Sequence, residues 1–380
     1  MKNNRTFLEK LLDGAEVKWK PLINVASLTR GRVISKEYLA NNLGDYPVYS
    51  SQTVNNGEIG KINSFDFDGE FVSWTTDGAN AGTVFYRSGK FSITNVCGLI
   101  KIQNNLELNY KFLFYWLSIE AKNHVYSGMG NPKLMSHQME KILIPIPPLS
   151  VQTEIVKILD ALTALTSELT SELTLRRKQY EYYREKLLSH NDSENSSQQK
   201  VDKDKLFSTS NIQWLHLNEI YKFQYGIGNK IPTIGGEYPV YGSNGIVGSH
   251  NEYNSEDAPV IGHIGAYAGI VNWAEGKHFV TYNGIICNKI NDNVNSRYAY
   301  YLLLSQNFID KANKASQPFI SYDILNKCIV PVPPIEEQQR IVSILDKFEA
   351  LTNSITEGLP LAIEQSQKRY EYYRELLLSF

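Results

Sequence analysis

Two groups of acidic and basic residues lie close enough in sequence to suggest chemistry: Asp13 and Glu16 with Lys18, and Glu275 with Lys277. Carboxylates holding a divalent ion beside a lysine are the parts of a phosphodiester-cutting site. Neither group is complete, and such triplets arise often by chance. Asn131-Pro132-Lys133 starts like the Asn/Asp-Pro-Pro-aromatic signature of amino-methyltransferases, but the second proline and the aromatic residue are absent. The glycine run Gly262–Gly269 lacks the lysine of a phosphate-binding loop. His124, His137, His250, His263 and His278 show no zinc-ligand spacing. Cys97, Cys287 and Cys328 lie far apart without a C-x-x-C pair, which excludes a disulfide scaffold or cysteine zinc cage and fits a reducing cytoplasm. No Ser-His-Asp arrangement is evident. The side chains point to binding and positioning, not catalysis.

The chain has 380 residues, enough for two or three domains at about 150 residues each. Hydrophobic residues make up 42%, enough for sizeable cores, and no apolar run reaches membrane-spanning length. With 38 basic and 40 acidic side chains the whole is nearly neutral, which argues against a free-standing, charge-driven nucleic-acid binder. The balance is uneven: residues 1–148 hold 16 Lys/Arg against 13 Asp/Glu, and residues 335–380 hold 5 against 8.

The sequence is written twice. Trp19-x-x-Leu22 recurs as Trp214-x-x-Leu217, and Gly31 as Gly226. Tyr46-Pro47-Val48-Tyr49 returns as Tyr238-Pro239-Val240-Tyr241, Gly78–Val84 as Gly265–Val271, and Phe91–Asn95 as Phe279–Asn283. The strongest matches close each half. Ile144-Pro145-Ile146-Pro147-Pro148 answers Val330-Pro331-Val332-Pro333-Pro334, and Gln152…Ile155…Leu159-Asp160 answers Gln338…Ile341…Leu345-Asp346. Tyr180-Glu181-Tyr182-Tyr183-Arg184-Glu185 answers Tyr370-Glu371-Tyr372-Tyr373-Arg374-Glu375.

Each copy begins with a Gly-, Asn- and Tyr-rich region of short alternating runs, read as a mainly β domain with a few helices. After the prolines, leucine-type residues repeat at close to 3.5-residue spacing, the seam of a coiled coil. A helix over 150–189 spans about 60 Å. Neither helix can bury its stripe alone, so an antiparallel pair is expected. The first helix carries an immediate repeat, Thr166–Leu169 and Thr170–Leu173, and the second has four more residues over the same interval, with Gly358 and Pro360 expected to kink it. The polar run around 190–207 reads as a linker.

The proline strap followed by Gln and a leucine-rich helix, present twice, resembles the specificity subunit of type I restriction–modification enzymes. The resemblance covers the whole chain, including the Trp-x-x-Leu openings and the run-ups Gly128–Ser136 and Ser316–Ser321. It implies an α+β protein with an internal pseudo-two-fold repeat: target-recognition domains at 1–143 and 208–329, helical spacers at 144–189 and 330–380, and a linker at 190–207. The chain would be non-catalytic and cytoplasmic. Each domain would read one half of a split double-stranded DNA target, and the helices would set the gap and dock two modification (methyltransferase) subunits. Two restriction subunits would complete the complex. S-adenosylmethionine, ATP and Mg would be bound by the partners, and none by this chain. The runner-up is the same role in a system that fuses methylation and cleavage in one partner; from another class, a non-enzymatic tandem β-domain scaffold.

Base edges are read by Arg, Asn, Gln, Ser, Thr and similar side chains. The candidates for DNA contact are Arg30, Arg32, Ser50, Ser51, Gln52, Thr75, Thr76 and Asn80 in the first copy, and Ser243, Asn244, His263, Tyr267 and Asn283 in the second. The candidates for spacer and partner docking are Gln152, Ile155, Leu159, Tyr180, Tyr183, Gln338, Ile341, Leu345, Tyr370 and Tyr373.

Overall fold

Alternating runs such as Phe71–Trp74 and Gly284–Cys287 become inner strands of two six-stranded sheets in the computed structural model, which describes residues 6–128, 130–189, 211–228, 231–232, 234–313 and 316–380. The expected linker, 190–207, lies outside the described residues. The first half contains strands β1 (Lys18–Pro21), β2 (Ala26–Arg30), β3 (Leu43–Tyr49), β4 (Glu58–Ile62), β5 (Phe67–Thr75), β6 (Val84–Ile93), β7 (Cys97–Ile102) and β8 (Leu143–Ile146). Its helices are α1 (Phe7–Leu12), α2 (Lys36–Asn41), α3 (Tyr110–Glu120), α4 (Ser136–Met139) and α5 (Leu149–Leu188). The second half contains β9 (Gln213–His216), β10 (Tyr221–Tyr225), β11 (Tyr238–Gly242), β12 (Gly245–His250), β13 (Ser255–Gly262), β14 (Val271–Val280), β15 (Gly284–Lys289) and β16 (Ile329–Val332). Its helices are α6 (Leu217–Ile220), α7 (Ser296–Ser305), α8 (Phe308–Lys311), α9 (Tyr322–Asn326), α10 (Ile335–Asn353) and α11 (Gly358–Leu377).

The two sheets share one topology. Their strand orders are β2-β7-β5-β6-β3-β4 and β10-β15-β13-β14-β11-β12. In each, one parallel pair (β3 with β6, β11 with β14) interrupts an otherwise antiparallel ladder. Val48 pairs with Ser92 where Val240 pairs with Phe279, so structure aligns Phe91 with His278. This corrects the match of Phe91–Asn95 to Phe279–Asn283 by one position, a slip that exchanges the two faces of a strand.

The tryptophan openings and proline straps are partners. β1 pairs antiparallel with β8, setting Trp19 against Pro145, and β9 pairs with β16, setting Trp214 against Pro331. A two-stranded ribbon leaves each strand an open edge, where a proline that lacks an N–H is tolerated.

The chain divides into two compact units, Met1–Leu169 with Ile363–Phe380, and Thr170–Ala362. Each unit therefore combines one β domain, part of the helix that follows it, and the last turns of the helix from the other repeat. In the first unit the core joins Val72, Trp74 and Ile100 of the sheet to Phe112, Leu113 and Leu117 of α3, Ile155 and Leu159 of α5, and Leu377. In the second it joins Ile261 and Ile285 to Tyr298, Tyr301 and Leu302 of α7, Ile341 and Leu345 of α10, and Tyr180 and Leu187 of α5. Full burial of such side chains contributes about 1.5–3 kcal/mol each.

Both units pair their helices antiparallel. In the first, the Thr166 and Ser366 hydroxyls meet at 2.8 Å, and Leu377, Tyr370 and Tyr373 pack into the core that holds Ile155 and Leu159. In the second, Arg177 donates to the Thr352 carbonyl, and Tyr180 and Tyr183 pack on Phe348 with ring centroids 6.2 and 5.7 Å apart. The expected seam is buried best where a β domain covers it; Leu162, Leu169 and Leu173 are only half-buried. The second spacer is not one helix. It breaks at 354–357, close to the glycine and proline expected to disturb it.

Candidate nucleic-acid interface

Most of the residues proposed for DNA contact converge on one corner of each sheet. In the first domain this corner joins the end of β2, the loops after β3 and β5, and the β6–β7 turn. It is drawn together at Gly31, where an added Cβ would lie 2.3 Å from the Ile93 oxygen and 2.4 Å from that of Thr94. Gly226 is in the same position in the second domain, with 2.1 Å to the Thr281 oxygen and 2.4 Å to that of Val280. The repeated glycine marks a backbone crossing too close for any side chain.

Hydrogen bonds stitch the first corner. Arg30 donates to the Asn95 carbonyl at 2.7 Å, Thr94 to the Ser50 hydroxyl at 2.9 Å and the Asn80 amide to the Ser51 carbonyl at 3.0 Å. Gln52 donates to the Glu58 carbonyl and so closes its own loop. Below the loop, the buried Arg87 donates to Ser73 and to the Asn56 carbonyl and lies 3.6 Å from the centre of the Tyr49 ring. Burial pushes its pKa down to about 10, so it remains a cation at neutral pH. Arg32 is engaged elsewhere: it pairs with Asp66 at 2.9 Å and lies over Tyr38, and the Asp66 hydrogen bond raises its pKa. Thr75 and Thr76 are fully buried, and their hydroxyls, like Oδ1 of Asp77, have no partner among the described residues. They lie beneath the surface of the corner.

The second corner has the same backbone and different chemistry. Tyr225 replaces Arg30, stacks on Tyr322 at 4.2 Å and 13°, and lies 4.3 Å from the His263 ring. His263 is buried, and its Nδ1 lies 3.0 Å from the Tyr282 carbonyl. The His263 amide donates to the Asn283 carbonyl. Asn244 and Tyr267 are exposed, and Ser243 is partly so, with its carbonyl facing the Gly262 backbone. The second corner is thus aromatic where the first is cationic and hydroxylic.

The docking candidates lie mainly inside the units. Gln152 is buried: its Oε1 accepts from the Asn109 amide at 2.9 Å, and its Nε2 donates to the carbonyls of Glu107 and Pro147 at 2.8 and 2.9 Å. Gln338 does the same with the Asn295 amide at 2.8 Å and the Asn293 and Pro333 carbonyls at 3.1 and 2.8 Å. Asn109 and Asn295 in turn cap α3 and α7. Eight residues after each glutamine, Asp160 accepts from Lys111 and from Tyr115, and Asp346 accepts from Arg297 and Tyr301. Burial, reinforced by the carboxylate, raises both tyrosine pKa values, so the hydroxyls stay protonated as donors. This polar clamp fixes each β domain to its spacer helix. Sequence reading missed Asn109, Lys111, Tyr115 and their counterparts; the shared Gln–Asp spacing was the available signal.

Ile155, Leu159, Ile341, Leu345 and Tyr180 are buried, while Tyr183, Tyr370 and Tyr373 are half-buried. The residues left outside recur in pairs: Tyr182 and Tyr372 are 56% and 62% exposed, and Trp19 and Trp214 are 44% and 52% exposed. Tyr182 meets Tyr183 edge-on at 5.4 Å, as Tyr372 meets Tyr373. Among the described residues no group of three or more His, Cys, Asp or Glu side chains could hold a metal ion, and no helix is long and apolar enough to cross a membrane.

The family described as "Type I restriction modification DNA specificity domain" matches residues 15–176 and 217–365. A putative type I restriction enzyme specificity subunit of Haemophilus influenzae is 39% identical over 402 residues, covering 100% of both chains. The specificity subunit of an Escherichia coli type I restriction enzyme is 33% identical, covering 99% of this chain and 97% of its own. Among solved structures, the type I restriction–modification S subunit of M. genitalium has the same fold, with a TM-score of 0.62, 20% identity and 96% of each chain covered.

Proposed function

This chain belongs to the specificity subunits of type I restriction–modification enzymes, and on that premise we propose that its two corners each read one half of a split DNA target while the helices fix the gap. As a specificity subunit it is a non-catalytic, DNA-recognising chain that assembles with the other subunits of its complex. The observation that carries the finer reading is the repeated corner: one backbone arrangement, built twice around Gly31 and Gly226, with different side chains in each copy. Two related readers on one chain suit a target with two different halves.

In this reading two modification subunits meet the exposed, recurring side chains, Tyr182 and Trp214 in one unit and Tyr372 and Trp19 in the other. S-adenosylmethionine is held by those subunits, and ATP and Mg serve two restriction subunits. An adenine drawn out of the duplex for methylation enters the partner's pocket. The near-neutral charge fits an assembly in which partners supply much of the phosphate contact.

The gap is measured by α5. Deleting Thr170–Leu173 removes about 6 Å of helix, slightly more than one turn, and shortens the recognised gap by about one or two base pairs of 3.4 Å rise, with both half-sites unchanged. A changed half-site with an unchanged gap contradicts the spacer role. The direct test is a long-read methylation map of cells carrying this gene with its cognate methyltransferase, compared with deletion of this gene alone. The reading predicts a split adenine-methylated motif that disappears in the deletion. Retention of every motif, with the methyltransferase still expressed, overturns it.

A further inference from the structure

The second spacer has four more residues than the first, and the structure shows where they go. Position by position, α10 (Ile335–Asn353) matches residues 149–167 of α5, and α11 from Gly358 to Leu377 matches residues 168–187. The four residues between, Ser354–Glu357, have no counterpart. In a continuous helix the Ala350 and Leu351 carbonyls would accept from residues 354 and 355. Gly358 comes up against those same oxygens instead: a Cβ there would lie 2.5 Å from the Ala350 oxygen and 2.7 Å from that of Leu351. The chain therefore leaves the helix, makes a four-residue excursion and returns where it left.

The excursion is self-contained. The Ser354 hydroxyl accepts from the Thr356 and Glu357 amides at 3.3 and 3.2 Å, and Ile355 is 79% exposed. Gly358 has a φ of +76°, which favours glycine. Absorbing the loop into one helix would place Gly358 and Pro360 in its interior, where glycine loses the most backbone freedom and proline lacks a donor and clashes with the preceding turn. The loop is fixed outside the helix.

We propose that Ser354–Glu357 is a looped-out turn that adds no length to the spacer, so that the two spacers have equal helical length and, of Thr170–Leu173 and Ser354–Glu357, only Thr170–Leu173 enters the gap. This rests on the spacer role proposed above. Two variants test it in the assembled methyltransferase complex. In one, residues 354–357 are deleted together with Gly358→Glu and Pro360→Thr, the residue types of Glu168 and Thr170 in the first repeat. In the other, residues 354–357 are replaced by eight Gly/Ser residues. Methylation maps of both are expected to give the parental gap and half-sites, while deletion of Thr170–Leu173 shortens the gap. A gap altered in either loop variant overturns the inference, as does loss of methylation in both variants from complexes that assemble normally. If the Thr170–Leu173 deletion also leaves the gap unchanged, the spacer role fails instead.

Discussion

The junction between β domain and spacer is nearly the same in the two units, whereas the loop-rich corner is not. At the junction a buried glutamine bonds one amide and two carbonyls, an asparagine caps the domain helix, and an aspartate takes a cation and a tyrosine hydroxyl, in both copies. Lys111 in one copy and Arg297 in the other are the main departures; Arg297 also reaches Glu349 at 2.8 Å. At the corner the shared parts are the backbone, the glycine and the matched pairs Tyr49/Tyr241 and Thr94/Thr281, whereas Arg30, Thr76 and Asn95 give way to Tyr225, His263 and Tyr282. The junction has one geometric task, to hold a domain at a set angle on a helix, and the same task retains the same side chains. The corner must present a surface, so only its scaffold is constrained.

The sharpest way to break this comparison is at the junction. Gln338→Ala removes the side-chain partner of the half-buried Asn295 amide, the Asn293 carbonyl and the buried Pro333 carbonyl, and is expected to destabilise the protein by about 2–3 kcal/mol. Gln152→Ala should do the same. Thermal unfolding checks this; a small effect in either repeat would show that the clamp is ornamental there. Gly226→Ala places a methyl group within 2.1 Å of a carbonyl oxygen, and the strain should lower stability by about 1–3 kcal/mol while degrading only one half of the methylated motif. Equal damage to both halves would separate the corner from reading.

Arg30→Ala removes an exposed side chain with its hydrogen bond to the Asn95 carbonyl and a weak one to the Met135 sulfur, so stability should change by less than about 1 kcal/mol. Its expected signature is relaxed sequence preference in one half-site, read from the methylation map; an unchanged motif would remove Arg30 from the readers. The smallest effect concerns His278, where the first domain has Phe91. Burial lowers the His278 pKa below its ordinary value of 6.5, although its ring lies near the Gly276 carbonyl. The unfolded chain then takes up a proton that the folded chain resists, so stability is full above about 6.5 and declines as pH falls below it. His278→Phe should flatten that decline in pH-dependent unfolding, and an identical pH profile would exclude His278 as its source.

Much of this architecture could be read from residue order. The prolines set where α5 and α10 begin, because each fixes φ and lacks a donor, and the leucine stripe identifies the helices. Gly358 and Pro360 signalled a disturbance, but whether the chain kinks or loops out depends on where Gly358 meets the Ala350 carbonyl. The pairing of Trp19 with Pro145 joins segments far apart in the chain, which local patterning does not report. At the candidate interface, the polar loops were legible as loops. The burial of Thr75 and Thr76, and the use of Arg32 by Asp66, follow from packing across strands that no short window contains.

The two-reader claim is tested most directly by replacing residues 206–330 with the corresponding domain of a relative and mapping methylation in cells that carry the cognate methyltransferase. One half of the motif should change, with the other half and the gap retained. A motif altered in both halves would contradict the assignment of one reader to each domain.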